Sequence, residues 1–200
     1  MPCFRPCGNS VEYLLMSMLN AWCPRICSSL SLRVSDNSIV ISTTRSVMLL
    51  LFFFLKMHPL LQFKILSDIT AVDFPNRAKR FSVYYTLLSI KLQRRLHVYV
   101  EVDDFEVLPS LSFLYKSACP LEREVWDLFG ILFENHPNLR RILTDYGFEG
   151  YPLRKDFPLS GFLEIRYDEE SKSLLYESVE LSQDFRSFEL RPVWLNTGIS

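Results

Sequence analysis

The stretch FKILSDITAVDFPNRAKRFSVYYTLLSIKLQRRLHVYVEV, residues 63–102, decides the fold because its apolar residues tend to recur at every second position. The pattern occupies three segments, residues 63–74, 80–88 and 96–102. Alternate side chains of a strand point to opposite faces, so each segment predicts a strand with one buried face. Pro75 marks a turn, and no connection is long enough for a helical crossover. We therefore predict an antiparallel meander.

Helices are predicted around these strands. The run VMLLLFFFL at residues 47–55 ends at Lys56 and Pro59, well short of the roughly 20 apolar residues that span a bilayer. We predict a buried helix over 47–58 and expect any membrane association to occur through partner proteins. Two further short helices are predicted after prolines, over 110–116 and 138–143.

The segment that opens at Pro120 has a clear helical periodicity, and Gly130 is placed to end it. Its apolar residues at helical spacing should form the buried stripe: Leu121, Val125, Leu128 and Phe129. Its charged residues should lie mostly off that stripe: Glu122, Arg123, Glu124 and Asp127. Arg123 and Asp127 are four residues apart and would be neighbours on the helix surface.

Composition excludes some classes of protein. The chain has 200 residues, which suits one domain with extensions. Its formal net charge is −1, so it lacks the basic excess that binding to nucleic acid requires. Nearly half of it is apolar, which argues against wholesale disorder, and its sixteen Phe and nine Tyr suit a surface covered by partners.

The first 46 residues differ from the rest and form a divergent extension. They contain two acidic residues, Glu12 and Asp36, against four arginines. An acid-poor segment with arginine and serine is typical of a mitochondrial import sequence. A poorly ordered extension is the alternative.

The extension also carries two pairs of cysteines at one spacing: Cys3 with Cys7, and Cys23 with Cys27. The pairs could staple a helical hairpin or bind a metal. Pro6 and Pro24 interrupt the helical spacing and no histidine lies nearby, so free thiols are the default expectation.

Beyond residue 144, glycine and proline recur too often for a long helix, yet the segment stays rich in large apolar residues. These are Tyr146, Phe148, Tyr151, Leu153, Phe157, Leu159 and Phe162. We expect an arm that lies across another subunit and uses the aromatic rings as anchors. The alternative is an arm folded back on its own sheet, and both can hold for different residues. Arg154, Lys155 and Asp156 could hold an anion or a lipid head group, or form a surface ion pair.

An enzyme is the competing hypothesis. Glu122, Glu124 or Asp127 could work with His136 as general acid and base. Nearby arginines would favour the ionised carboxylates, and a carboxylate cluster is more often an ion-pair network. Cys119 stands alone, without metal-ligand spacing. We therefore expect no catalytic, cofactor-binding or metal-binding residue in this chain.

Four motifs together resemble a known family: EREVWDLFGI at 122–131, HPNLRRI at 136–142, DYGFEG at 145–150 and PLRKD at 152–156. The resemblance is to the thirty-kilodalton subunit of respiratory complex I, the proton-pumping NADH:ubiquinone oxidoreductase. A looser likeness reaches back to about residue 50 and forward to Trp194.

The resemblance implies a non-catalytic core subunit of the peripheral arm that supports assembly of the quinone-reducing module. It implies an α+β fold: a small antiparallel or mixed sheet packed with helices over 47–143, then a long extended C-terminal arm over 144–200. The implied hetero-oligomeric partner is the forty-nine-kilodalton-type subunit that helps form the quinone site. NADH, FMN, iron–sulfur clusters and ubiquinone would belong to the complex, with none bound by this chain.

The DYGFEG motif favours a mitochondrial or bacterial-type complex, and the acid-poor N-terminus favours mitochondria, whether the chain is imported or encoded there. The resemblance then implies the matrix side of the inner membrane. The expected subunit-interface residues are Glu122, Arg123, Glu124, Asp127, His136, Arg140, Arg141, Asp145, Tyr146, Phe148, Tyr151, Arg154, Lys155 and Asp156.

Overall fold

The computed structural model describes Ser17, residues 29–33, residues 38–186 and Phe188. The chain divides into two units, and the first contains a five-stranded mixed sheet. In spatial order the strands are β1 (Ser29–Arg33), β2 (Ser38–Thr43), β5 (Arg94–Val102), β4 (Phe81–Ser89) and β3 (Ile65–Asp73). The three predicted strands are confirmed, and β3, β4 and β5 form the predicted antiparallel meander.

The N-terminal boundary differs from the prediction. Strands β1 and β2 fall inside the segment that the sequence assigned to an extension, and β2 pairs with β5 in parallel. Five residues of β2 lie opposite Leu96–Val100 of β5, so β2 is an inner strand of the sheet. The four N-terminal cysteines lie outside the described residues.

Helix α1 (Arg45–Met57) follows β2 and covers the sheet. Its buried residues, Met48, Leu51, Phe52 and Leu55, recur at helical spacing, and the Phe52 ring meets the Tyr85 ring edge-on at 5.2 Å. The predicted buried helix is confirmed. Among the described residues, no helix combines the length and the apolar character needed to cross a bilayer.

Helix α2 (Ala118–Phe129) begins two residues before the predicted start. It ends at Gly130, as predicted, and the φ of this glycine is 78°, in the left-handed region. The predictions of short helices at 110–116 and 138–143 are wrong, because these two segments form turns and bends. In the second, the amides of Ile142, Leu143 and Thr144 bind a side-chain carboxylate and not the carbonyls that a helix would offer. A two-residue pairing of β6 (Leu108–Pro109) with β7 (Phe133–Glu134) completes this unit.

The C-terminal boundary also differs from the prediction. The first unit extends to Phe157, so residues 144–157 belong to it and do not leave it as an arm. The second unit begins at Pro158 and contains the hairpin of β8 (Leu163–Asp168) and β9 (Ser173–Ser178). The alternative of a segment folded back on its own domain therefore holds for residues 144–157.

Candidate subunit interface

Helix α2 carries two fully buried carboxylates, Glu122 and Asp127. This corrects the prediction that its charged residues lie off the buried stripe. Val125 and Phe129 are buried as predicted, whereas Leu121 and Leu128 are only partly covered. Burying a charge is costly unless hydrogen bonds or an opposite charge compensate, so each carboxylate needs its own explanation.

The Asp127 carboxylate organises the loop that follows β7. Its Oδ2 accepts hydrogen bonds from the amides of Ile142 (3.1 Å), Leu143 (2.8 Å) and Thr144 (3.0 Å). Its Oδ1 accepts from the Thr144 hydroxyl (2.6 Å) and Arg141 Nη1 (2.9 Å). Burial alone would raise the pKa of this carboxyl, but the bonds from Thr144, Leu143 and Arg141 hold the pKa well below its usual range.

Arg141 is therefore the cationic partner of Asp127, and the predicted pairing with Arg123 is not formed. Arg123 instead donates from Nε to the Arg140 carbonyl at 3.1 Å. The other arm of Arg141, Nη2, donates to the Gly150 carbonyl at 3.0 Å. Its guanidinium also lies within 6 Å of three ring centroids, those of Trp126, Phe148 and Tyr151. One side chain thus joins the helix, the loop and the following aromatic segment.

Residues 151–154 pack against the C-terminal end of α2. Arg154 Nε donates to the Phe129 carbonyl at 2.7 Å, and the Leu153 amide donates to the Leu128 carbonyl at 3.1 Å. Gly130 is required here twice, by its left-handed φ and by close approach: a Cβ at this position would lie 2.6 Å from the Tyr151 ring. The glycine thus lets the Tyr151 ring close over the helix terminus.

A network of ion pairs ties the same segment to the sheet. Arg80 holds the buried Asp73 through two hydrogen bonds of 2.8 Å and also pairs with Asp104 and Asp156. Arg154 pairs with Asp104 at 3.0 Å. The hydrogen bond from Arg80 lowers the pKa of Asp73, against the effect of burial.

The next residue completes the attachment of the segment. The Lys155 amide donates to Asp73 Oδ2 at 2.8 Å. Arg154 and Asp156 form ion pairs with Asp104 and Arg80, which is one of the two sequence alternatives for residues 154–156.

Glu122 has a different environment. Its Oε1 accepts from the Leu111 amide at 2.7 Å, its Oε2 lies 2.6 Å from the Ser110 hydroxyl, and His136 Nε2 is 3.8 Å from Oε2. The side chains of Glu122 and His136 are both fully covered, and burial raises the pKa of Glu122 to about 7. The acid–histidine pair that the enzyme hypothesis needs is thus close together but has no exposed surface.

The predicted interface residues fall into three groups by exposure. Glu122, Asp127 and the His136 side chain are buried inside the unit. The half-buried residues are Arg123, Glu124, Arg141, Phe148, Tyr151 and Arg154. The exposed residues are Arg140, Asp145, Tyr146, Lys155 and Asp156.

The loop held by Asp127 presents large apolar side chains to solvent. Tyr146 is 99% exposed and Leu143 is 60% exposed, and Ile142 lies beside them. Residues 140–147 line an open concavity of about 650 Å³. Sequence reasoning missed Ile142 and Leu143, because it assigned them to a helix.

The second unit carries an apolar sheet face of its own. In the β8–β9 hairpin, Ile165 lies opposite Tyr176 and Tyr167 lies opposite Leu174, and all four side chains are exposed. The opposite face carries the ion pair of Arg166 with Glu177 at 2.8 Å. A two-stranded hairpin is marginally stable alone in water, so an exposed apolar face of this kind indicates a surface that a partner covers.

Side chains that bind metals are scattered. Within the described part of the chain, no three His, Cys, Asp or Glu side chains are grouped so that they could hold a metal ion. Cys119 is the free cysteine of that part.

A mixed sheet with an internally braced loop and exposed apolar surfaces is typical of a subunit of a larger assembly. Comparison with known proteins identifies which one. The family described as "Respiratory-chain NADH dehydrogenase, 30 Kd subunit" matches residues 39–163. The chain belongs to this family.

Individual relatives agree with this assignment. The chain is 53% identical over 146 residues to NADH-ubiquinone oxidoreductase subunit 9 of Reclinomonas americana, and the match spans 73% of this chain and 72% of the relative. It is 49% identical over 173 residues to an NADH-quinone oxidoreductase subunit of Paramagnetospirillum magneticum, where the match spans 86% and 82%. Among solved structures, a trypsin-resistant fragment of Nqo5 matches with 29% identity and a TM-score of 0.55, covering 63% of this chain and 98% of the fragment.

Proposed function

We propose that this chain is a non-catalytic core subunit of the peripheral arm of respiratory complex I, the proton-pumping NADH:ubiquinone oxidoreductase. Its relatives are subunits of NADH-ubiquinone and NADH-quinone oxidoreductases, so the activity is that of the complex. The role of the chain is to support assembly of the quinone-reducing module.

One observation carries this proposal: residues 140–157 are braced from inside their own unit, while the apolar side chains of Ile142, Leu143 and Tyr146 face solvent. Asp127 fixes the loop backbone, and Tyr146 and Leu143 stay exposed on it. Preorganised aromatic and aliphatic anchors bind a partner at a lower entropic cost than a flexible loop. The arrangement therefore favours docking over chemistry.

The partner we propose is the forty-nine-kilodalton-type subunit that helps form the quinone site. The DYGFEG motif that carries the family resemblance lies in this loop, and the hairpin of the second unit offers a further apolar face. The buried residues of the predicted set, Glu122 and Asp127, would act indirectly by shaping the surface. The exposed ones, Tyr146 and Asp145 among them, would touch the partner.

Cofactors and location complete the proposal. NADH, FMN, iron–sulfur clusters and ubiquinone are proposed to be bound by other subunits of the complex and not by this chain. Its subunit relatives fit a peripheral mitochondrial location, and we propose the matrix side of the inner membrane.

A native-gel separation of membranes tests the assembly. The chain, detected by antibody, should co-migrate with the band that oxidises NADH. Tyr146→Ala combined with Leu143→Ser should reduce the amount of that band several-fold without lowering the stability of the isolated chain. Ile90→Ser, at an equally exposed apolar residue in the turn between β4 and β5, is the matched control and should assemble normally. If the chain never co-migrates with the band that oxidises NADH, the proposal is wrong.

A further inference from the structure

The Glu122 carboxyl group lies in a pocket without a strong cation. Among the described residues, its one ion-pair contact is the imidazole of His136, and no arginine or lysine approaches it as Arg141 approaches Asp127. Two groups donate or share hydrogen atoms with it, the Leu111 amide and the Ser110 hydroxyl. A buried carboxylate in such a pocket is stabilised by taking up a proton.

Both ring nitrogens of His136 have backbone partners other than Glu122. Its Nε2 is 3.1 Å from the Cys119 carbonyl oxygen, which can only accept, so Nε2 carries a hydrogen. The Asn138 amide donates to Nδ1 at 3.1 Å, so Nδ1 carries none. A second proton on the ring would break the Asn138 hydrogen bond. His136 Nε2 is thus directed at the Cys119 carbonyl, and at 3.8 Å from Glu122 Oε2 it lies beyond hydrogen-bond distance of the carboxyl group.

The described groups that face Glu122 from the other elements packed against α2 are uncharged. From β4, the phenol of Tyr85 is fully buried and its oxygen has no hydrogen-bond partner, and burial together with the Glu122 charge raises the pKa of Tyr85. From the turn before α2 come only the hydroxyls of Ser110 and Ser112 and the amide of Leu111. Among the described residues, no arginine or lysine is thus placed to stabilise the ionised form of the Glu122 carboxyl group.

Two serine hydroxyls connect this carboxyl group to the surface. The Ser110 oxygen lies 2.6 Å from Glu122 Oε2 and 2.8 Å from the Ser112 oxygen, and Ser112 is half-exposed. Ser110 has a single hydrogen and cannot donate to both neighbours at once. It donates to Ser112 when Glu122 is protonated and donates to Glu122 when the carboxylate is ionised.

We propose that Glu122 is a buried proton-binding site that exchanges its proton with solvent through the hydroxyls of Ser110 and Ser112. On release, the Glu122 proton moves to the Ser110 oxygen, the Ser110 hydrogen moves to the Ser112 oxygen, and the Ser112 hydrogen moves to a water molecule. Three O–H bonds break and three form, so both serine hydroxyls are regenerated and the net change is the loss of one proton from Glu122. The raised pKa of Glu122 sets the exchange near neutral pH. This inference does not depend on the partner of the chain.

The test is an NMR titration of the full chain with ¹³C-labelled glutamate carboxyl groups. One carboxyl resonance should titrate with a midpoint near pH 7, well above the ordinary glutamate value of 4.5. That resonance should be absent in Glu122→Gln and present in Glu124→Gln, the matched variant two residues away on the same helix. A set of glutamates that all titrate within about one unit of the ordinary value would overturn the site.

Two serine variants test the path. Ser110→Ala removes a hydrogen bond that lowers the pKa of Glu122, so the midpoint should rise. Ser112→Ala should leave the midpoint in place and broaden the resonance by slowing proton exchange. A midpoint that Ser110→Ala does not move, or exchange that Ser112→Ala does not slow, would contradict the path. If Ser110→Ala fails to fold, the wild-type, Glu122→Gln and Ser112→Ala titrations still decide the proposal.

Discussion

Glu122 and Asp127 stand five residues apart on one helix and are both fully buried, yet their surroundings are opposite. Asp127 receives five hydrogen bonds from the loop after β7, including one from Arg141, and its pKa is lowered. Glu122 has two hydrogen-bonding neighbours, with the His136 imidazole 3.8 Å away, and burial raises its pKa to about 7. Burial raises the pKa in both cases, so the number and charge of the donors decide the outcome.

The comparison separates two uses of a buried carboxyl group. Asp127 is an ionised brace that replaces the backbone partners a short helix would have provided, and it keeps the loop at 140–147 in place. Glu122 is a protonatable group that fastens the turn before α2. The opposite shifts also predict opposite pH dependence, which makes the comparison testable.

The largest expected effect is that of Asp127→Ala. The variant leaves Arg141 and three loop amides without their acceptor, so the free energy of unfolding should fall by roughly 3–5 kcal/mol. Urea denaturation at pH 7 measures this change. Glu124→Ala, on the same helix but half-buried, is the control and should stay within about 0.5 kcal/mol of the wild type. If the two variants lose the same free energy of unfolding, Asp127 stabilises the fold no more than a half-buried charge on the same helix does.

The next effect is the pH dependence that Glu122 produces. Its pKa is about 7 in the folded chain against an ordinary value of 4.5, so the folded state holds the proton more tightly. Its contribution to stability is therefore complete below about pH 4.5 and is lost as the pH rises through 7. The difference amounts to about 3 kcal/mol.

Denaturation curves at a series of pH values check this dependence. Glu122→Gln has no ionisable group here, so the part of the slope between about pH 4.5 and 7 that Glu122 causes should disappear. A slope of the same size in the variant would assign the dependence to another residue. Asp127 contributes in the opposite sense, since its stabilisation is present at neutral pH and is lost only in strong acid.

A smaller effect is expected for Gly130→Ala, which tests the Asp127 side of the comparison without replacing a charged residue; the new Cβ would lie 2.8 Å from Arg154 Nη2 and 2.6 Å from the Tyr151 ring. A left-handed alanine costs about 1–2 kcal/mol, and the new methyl group would displace the Tyr151 ring. Thermal unfolding gives the stability, and hydrogen exchange of the Leu153 amide reports the seating of residues 151–154. Unchanged protection of that amide would show that Tyr151 does not depend on the glycine.

The smallest effect is expected for Asp156→Ala. This carboxylate pairs with Arg80 at 3.1 Å but its side chain is 63% exposed, and exposed ion pairs contribute about 0–1 kcal/mol. Arg80 keeps its two hydrogen bonds to the buried Asp73, so the network should persist. Denaturation in low and high salt measures the pair. A loss comparable to that of Asp127→Ala would mean that the outer charge carries the network.

Much of the sheet was predictable, because the alternation of apolar residues in β3, β4 and β5 directly reports strands with a buried face. The buried face of α1 and the end of α2 at Gly130 were predictable for similar local reasons. The pairing of β2 with β5 was not, because their parallel register joins segments separated by a helix and two other strands.

The errors at the site have a common cause. Residues 138–143 follow a proline and look helical, but the amides of Ile142 and Leu143 bind Asp127 from a different element. In the same way, spacing alone suggested Arg123 as the partner of Asp127, whereas the fold delivers Arg141. Local periodicity does not contain these long-range hydrogen bonds, although the charged residues that make them were visible.

If the loop braced by Asp127 docks on another subunit of NADH:ubiquinone oxidoreductase, its exposed Tyr146 ring should contact that subunit. A photo-crosslinking amino acid at Tyr146, activated in the assembled complex, tests it directly, with the same residue at Ile90 as the control. The photo-crosslinker should capture the forty-nine-kilodalton-type subunit when it is placed at position 146, and should not capture it when placed at position 90. Absence of any captured subunit at position 146 in a complex that contains the chain would contradict it.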